Sequence, residues 1–186
     1  MLSQLNQWEL GLLDWIQDSF RTPFLDTVVP LFTMLGNAGL LWIVISVLLM
    51  CIPKHRKAGI TLAAGLICQL VVCNLFLKNL IARGRPCWLN ETVELLVEKP
   101  LDFSFPSGHT MVSFIAATIL AMYNRKWGYI AFPVAALMGF SRLYLYVHFP
   151  TDVLAGAVLG ILAGVAVAFL MKKLFAFLET RYEICL

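Results

Sequence analysis

The stretch of sequence that decides the fold is TDVLAGAVLGILAGVAVAFLMKKLFA, residues 151–176. It is apolar over most of its length and follows Pro150, a residue favoured in the first turn of a helix, so it predicts a long helix. Gly156, Gly160 and Gly164 recur at four-residue spacing and therefore lie on one stripe of that helix. Small residues on one stripe allow a second helix to approach closely, so we expect a helix-packing face there.

The composition of the whole chain indicates a membrane protein. Its 186 residues are 60% hydrophobic and 13% charged, whereas soluble domains are about 25% charged. A water-soluble core of this size cannot hide so much apolar surface. We therefore predict one integral membrane domain. The net charge is only +3, and the basic residues form no stripe on a soluble face. Both observations argue against nucleic acid as a partner.

The segments before residue 151 also read as helices. Residues 3–20 predict an amphipathic helix, which lies either in the membrane interface or packed on the bundle. Residues 23–35 are too short to cross a membrane alone, since a span needs about 20 residues, so this segment crosses obliquely or together with the preceding helix. The path of residues 1–36 is left open. Further helices are predicted at 38–52, 56–80, 107–123, 128–147 and 151–176.

The distribution of charge predicts the orientation in the membrane. One set of turns contains Lys54, Arg56, Lys57, Arg125, Lys126, Lys172 and Lys173. The opposite loop, residues 81–105, contains two prolines, is followed directly by Pro106, and has a short predicted helix at 91–98. Its acidic residues are Glu91, Glu94, Glu98 and Asp102, and its single lysine is Lys99. The positive-inside rule places the first set in the cytoplasm and the loop on the outer face of the cell membrane.

Three polar motifs interrupt the apolar sequence at helix ends on that outer face. They are Lys78 followed by Arg85-Pro86, then Pro106-Ser107-Gly108-His109, then Ser141-Arg142 followed by His148 and Asp152. Polar groups near a membrane are costly and usually mark function. Four helix ends on one face can form a single pocket, so we consider the motifs together.

These residue types are suited to binding a phosphate group. Lys78, Arg85 and Arg142 supply three cations, and arginine binds phosphate oxygens two at a time. Ser107 and Gly108 stand at a helix start, where free backbone N–H groups attract anions. Gly108 also lets a phosphate approach the backbone. We expect these five residues to bind the substrate.

Two histidines and a carboxylate can transfer the phosphate. His148 is the expected nucleophile, because Asp152 lies four residues on and can bond to Nδ1–H, leaving Nε2 free to attack. His109 is the expected general acid, which then activates water. No acidic spacing is diagnostic of magnesium or zinc, so we expect no metal and no cofactor, and the cations take the electrostatic role of a metal. Outside the motifs, Arg83 is expected only to anchor at the membrane interface.

The chain resembles the type 2 phosphatidic acid phosphatase superfamily over about residues 56–176, because all three motifs match the signature of that family. The resemblance implies a membrane bundle, commonly of six helices, and metal-independent dephosphorylation through a phosphohistidine. It implies the same roles for His148, Asp152, His109 and the phosphate-binding residues. The family also contains soluble vanadium haloperoxidases, against which the membrane composition argues.

The leading hypothesis is a lipid phosphatase, a hydrolase of phosphorylated membrane lipids. The first expected substrate is undecaprenyl pyrophosphate, which would connect the chain with cell wall biogenesis. The second is a glycerophospholipid phosphate, such as phosphatidylglycerol phosphate or phosphatidic acid. Two alternatives stay open: a lipid phosphotransferase, and a non-catalytic protein that binds or transports lipid phosphates. The sequence does not indicate an oligomeric state.

Overall fold

The computed structural model describes the backbone of residues 2–182 and the side chains of residues 5–181. These residues contain helices and no strand. The helices are α1 Leu2–Phe20, α2 Pro23–Met34, α3 Leu40–Cys51, α4 Arg56–Gln69, α5 Lys78–Ile81, α6 Pro86–Leu89, α7 Gly108–Tyr123, α8 Arg125–Tyr144 and α9 Pro150–Tyr182. A π-helical stretch, Leu70–Leu77, joins α4 to α5.

The predicted all-α membrane bundle with an amphipathic N-terminal helix is confirmed. Over residues 2–182, two helical segments, Pro53–Leu89 and Pro150–Arg181, are long and apolar enough to cross a membrane. A third candidate span is the pair Pro23–Met34 and Asn37–Cys51, which is bent by 48°. The segment at 23–35 therefore pairs with the following helix and not with the preceding one, which was one of the two predicted possibilities.

Helix α7 forms the centre of the bundle and packs closely on α9. The glycine stripe is the reason: a Cβ atom on Gly160 would lie 2.7 Å from the Met111 carbonyl oxygen, and one on Gly156 would lie 2.8 Å from the Ser107 carbonyl oxygen. The predicted packing face is confirmed. Because the contact continues to the ends of both helices, their N-termini lie side by side, and the Ser107 N–H donates to the Asp152 carbonyl oxygen at 3.1 Å.

Helix α1 packs on the bundle, which was one of its two predicted positions. Leu13 and Ile16 are buried in a cluster with Tyr144 at the end of α8 and with Val147 and Phe149 from the segment that connects α8 to α9. The N-terminal helix therefore covers the part of the chain that contains His148.

One predicted helix is absent, and another is shifted along the chain. Residues 91–98 are not helical, because Asn90 Oδ1 accepts the Thr92 N–H in a local turn, and the apolar run at 95–97 packs irregularly against the α1 cluster. Helix α8 is Arg125–Tyr144 where 128–147 was predicted. Asn124 begins it earlier by accepting the Lys126 N–H at 3.0 Å, and it ends before Tyr146, whose φ of 58° lies in the left-handed region.

Candidate functional site

His148 is the centre of the candidate site. Its side chain is buried, and it lies in the loop between α8 and α9. Its Nε2 atom is 3.2 Å from Arg85 Nη1, and its Nδ1 atom is 3.3 Å from Ser104 Oγ and 3.6 Å from Asp152 Oδ2. One ring nitrogen therefore faces a cation and the other faces a hydroxyl and a carboxylate.

The expected direct bond between His148 Nδ1–H and Asp152 is not formed, because 3.6 Å is beyond hydrogen-bond distance. Asp152 Oδ2 instead accepts from the Phe149 N–H at 2.8 Å and from the Ser104 hydroxyl. Ser104 lies within 3.5 Å of both Asp152 and His148 and so bridges them. Sequence reasoning missed Ser104, since it stands outside the three motifs in the loop 81–105.

Lys78 and Arg85 lie side by side and bind the same carboxylate. Lys78 is 7% exposed and Arg85 is 2% exposed. Both pair with the Asp102 carboxylate, and the distance from Arg85 Nη2 to Asp102 Oδ1 is 2.7 Å. Arg85 is held independently by the Val147 carbonyl oxygen at 2.8 Å and the Asp102 carbonyl oxygen at 2.7 Å. The two cations thus form an anion site that in the resting chain holds a side-chain carboxylate.

Asp102 was predicted only as an acidic residue of the outer loop, yet it reaches the cations. Its side chain is 56% exposed. Partial burial would raise the pKa of this carboxyl, but the hydrogen bond from Lys78 and the positive charges of Arg85 and Lys78 outweigh it and lower the pKa to about 2. Asp102 is therefore ionised at neutral pH.

Arg142 lies at the end of α8 and faces the same space. Its guanidinium is buried, donates from Nη1 to Thr33 Oγ1 at 2.6 Å and lines the same cavity as Lys78 and Arg85. Among the hydrogen bonds of the described residues, none involves its Nε atom. The three cations therefore line one cavity, and the Nε–H group of Arg142 donates no hydrogen bond to the described residues.

The residues of the motif at the start of α7 lie in two different environments. Gly108 and His109 line the cavity, and His109 Nε2 is 3.0 Å from Asn37 Oδ1. Ser107 stands at the N-cap position of α7, but its side chain caps no backbone N–H. Its hydroxyl is buried and accepts from Thr110 Oγ1 at 2.9 Å. Ser107 therefore contributes to the packing of the helix start.

Arg83 is not an interface anchor, which corrects the expectation from the sequence. Its side chain is only 12% exposed, and Nη1 donates to Asp152 Oδ1 and to Thr151 Oγ1, each at 2.7 Å. Its guanidinium carbon lies 4.0 Å from the centre of the Phe149 ring. Arg83 therefore binds Asp152 inside the site. The only sequence signal for this contact was the position of Arg83 between Lys78 and Arg85 in the chain.

A cavity of about 1370 Å³ connects the polar groups with an apolar surface. Its polar end contains both site histidines and the three cations, and its apolar end lies between α3 and α4. The apolar lining includes Ile43, Val47, Met50, Ala63, Leu66 and Ile67. The site therefore opens toward the surface where the acyl region of a bilayer would lie.

The electrostatics of the cavity favour an uncharged His148. Burial and then the positive charges of Arg85, Arg142 and Lys78 lower the pKa of His148 well below its usual value. A neutral imidazole keeps a lone pair, so the site can combine a nucleophile with an anion-binding surface. Over residues 2–182, no group of three or more His, Cys, Asp or Glu side chains is placed to hold a metal ion.

Comparison with known proteins identifies the family. The model of the PAP2 superfamily matches residues 57–176, which contain all three motifs, and the chain belongs to this superfamily.

Three relatives illustrate the similarity. The undecaprenyl-diphosphatase of Sulfolobus acidocaldarius is 37% identical over 120 residues, 64% of this chain and 58% of that protein, so this chain spans little more than half of its length. Phosphatidylglycerophosphatase B of Bacillus subtilis is 35% identical over 158 residues, 76% of this chain and 73% of that protein. The crystal structure of Aquifex aeolicus LpxE superposes with a TM-score of 0.74 at 33% identity, and the match covers 85% of this chain and 93% of that one.

Proposed function

We propose that this chain is a metal-independent lipid phosphatase that transfers phosphate first to His148 and then to water. The observation that carries the proposal is the environment of the His148 ring, with Nε2 toward Arg85 and Nδ1 toward Ser104 and Asp152. A nucleophile that attacks phosphorus needs one free nitrogen next to bound phosphate and a group that stabilises positive charge on the other side.

The reaction follows from this arrangement. Lys78, Arg85 and Arg142 hold the non-bridging oxygens, and the substrate phosphate replaces the Asp102 carboxylate on the first two. His148 Nε2 forms a bond to phosphorus while the bond from phosphorus to the leaving oxygen breaks. His109 donates a proton to that oxygen. Water activated by His109 then attacks phosphorus, the N–P bond breaks, and inorganic phosphate leaves.

Asp152 stabilises the positive charge that develops in the reaction, and the cations stabilise the negative charge in place of a metal. The carboxylate faces the His148 nitrogen that does not attack, and so it stabilises the cationic phosphohistidine. The cations stabilise the charge on the transferring phosphoryl group. The enzyme is therefore expected to work without added metal.

The shape of the cavity supports a lipid substrate. The surface that leads away from the cations between α3 and α4 is apolar, and Ile43, Val47 and Ile67 are exposed there. A phosphate headgroup at the cations would place its hydrocarbon chain along this surface, within the bilayer. Undecaprenyl pyrophosphate is the first proposed substrate and phosphatidylglycerol phosphate the second, in agreement with the names of the Sulfolobus and Bacillus relatives.

The distribution of basic residues supports a site on the extracytoplasmic face of the cell membrane. Leu101 in the outer loop is 93% exposed, and Cys51 is exposed at the other end of the bundle. A membrane-impermeant maleimide should label Leu101→Cys in intact cells, and Cys51 only after permeabilisation. Labelling of Leu101→Cys only after permeabilisation would reverse the proposed orientation.

Phosphate release from a panel of phosphorylated lipids in detergent tests the activity. His148→Ala should abolish release, whereas His55→Ala, which changes the histidine packed against Trp127 at the other end of the bundle, should keep the wild-type rate. Full activity of His148→Ala would refute the proposed nucleophile. Phosphate recovered on an added acceptor lipid would indicate a phosphotransferase, and no release from any lipid would favour a binding protein.

A further inference from the structure

A fully buried glutamate on α1 contacts Arg83, which itself binds Asp152. Glu9 is 0% exposed, although α1 is otherwise an amphipathic surface helix. Its Oε1 atom accepts from the Thr151 N–H at 2.8 Å and from the Thr151 hydroxyl at 2.7 Å, and its Oε2 atom accepts from Arg83 Nη2. A carboxylate is costly to bury unless it is paired, so this contact is specific.

Arg83 connects Glu9 with Asp152. It donates through Nη2 to Glu9 and to Asn6 Oδ1, the latter at 2.7 Å, and through Nη1 to Asp152 Oδ1. Asp152 then presents its other oxygen, Oδ2, to Ser104 and toward His148. The residues form one continuous chain of polar contacts from the N-terminal helix to the imidazole.

We propose that Glu9 and Arg83 are positioning residues that fix the orientation and the effective charge of Asp152. This inference rests on the proposed phosphatase function. Arg83 holds the Asp152 oxygen that faces away from His148, and therefore determines which oxygen faces the ring. Glu9 balances the charge of Arg83, so that Asp152 keeps its negative charge available for a cationic phosphohistidine. Without Glu9, Arg83 neutralises Asp152.

This role places part of the active-site support outside the region that matches the family. The family model covers residues 57–176, whereas Glu9 stands on α1. Residue Thr151 at the start of α9 is held by the same carboxylate. Docking of α1 thus also fixes the first turn of the helix that carries Asp152.

Glu9→Gln, which preserves shape and removes charge, is the first test. We expect kcat for phosphate release to fall about 10- to 100-fold with little change in KM, the range typical of groups that orient a reacting residue. The matched control is Asp14→Asn on the same helix. Asp14 accepts from Tyr146 Oη at 2.6 Å and so docks α1 on the same loop, but it contacts neither Arg83 nor Asp152. The control should keep kcat within a few-fold.

A double-variant cycle separates positioning from general stability. If Glu9 acts through Arg83, Glu9→Gln combined with Arg83→Gln should lower kcat no further than the more damaging single change. Thermal unfolding in detergent is measured for each variant, and kcat is expressed per folded enzyme. Wild-type kcat in folded Glu9→Gln would overturn the positioning role alone, as would equal losses in Glu9→Gln and Asp14→Asn. Absence of phosphate release by the wild-type chain would overturn the proposed function and this inference with it.

Discussion

Replacing Asp102 with asparagine should make inorganic phosphate a stronger competitive inhibitor of phosphate release. In the resting chain the Asp102 carboxylate occupies Lys78 and Arg85, two of the proposed phosphate-binding cations. An incoming phosphate must displace it. Asparagine is nearly the same size but carries no charge, so it competes less strongly. Arg85 should stay in place, because Val147 and the Asp102 backbone carbonyl also hold it.

The structure sets the size of this effect. Hydrogen bonds to charged groups contribute about 1.5–3 kcal/mol, and exposed ion pairs about 1 kcal/mol or less. Asp102 is 56% exposed and makes two such contacts, so each is assigned about 1 kcal/mol. Asparagine keeps part of one contact. The substitution therefore removes about 1–2 kcal/mol of the free energy with which residue 102 competes against phosphate for the two cations. The inhibition constant for phosphate should therefore decrease about 5- to 30-fold, since 1.4 kcal/mol is tenfold.

The ratio of the phosphate inhibition constants of the wild-type enzyme and of Asp102→Asn should not change with pH between about 5 and 8. The pKa of Asp102 is lowered to about 2, so the carboxylate is ionised throughout this range and protonation would weaken its competition only at much lower pH. Titration of phosphate itself affects both enzymes equally and cancels in the ratio. A ratio that falls toward one near pH 5 would contradict this assignment.

Inhibition is measured with one lipid substrate in detergent, with orthovanadate as a second anion. Glu91→Gln is the control, because it removes a negative charge from the same loop but pairs only with Lys99, at 2.8 Å, among the described ion pairs. That variant should show the wild-type constant. If Asp102→Asn instead weakens inhibition, the carboxylate organises the cations and does not compete with phosphate, and the reasoning is wrong.

Three other predictions concern the site and the fold. Ser104→Ala removes the hydroxyl that bridges Asp152 and His148. Steady-state kinetics should show that kcat falls about 10- to 100-fold while KM changes little, and an unchanged kcat would exclude a role for the bridge. EDTA should leave the rate of phosphate release unchanged, because Lys78, Arg85 and Arg142 supply the positive charge, and strong inhibition reversed by added metal would contradict this. Gly160→Ala should lower the stability of the bundle by about 1–3 kcal/mol, since the new Cβ meets the Met111 carbonyl oxygen at 2.7 Å. Gly11→Ala, which meets nothing within 4 Å, serves as its control, and equal unfolding temperatures would refute the close contact between α7 and α9.

The sequence by itself determined the helices and the residue types of the site. Apolar content and spacing are local properties, so the long helices and the glycine stripe could be predicted from neighbouring residues. The three motifs were visible for a similar reason, since each lies within a stretch of at most twelve residues around a helix end. Lys78, Arg85, His109 and Arg142 accordingly line one cavity with His148.

Only the tertiary structure decided which groups surround these residues. Glu9 and Thr151 are separated by 142 positions, and Ser104 and Asp152 by 48. Neither separation corresponds to a helical period or a known spacing, because such contacts depend on how whole helices pack. A buried polar group takes the partner that packing brings within 3.5 Å. For that reason Arg83 looked like a surface anchor in the sequence and is, in the folded chain, the link between α1 and Asp152.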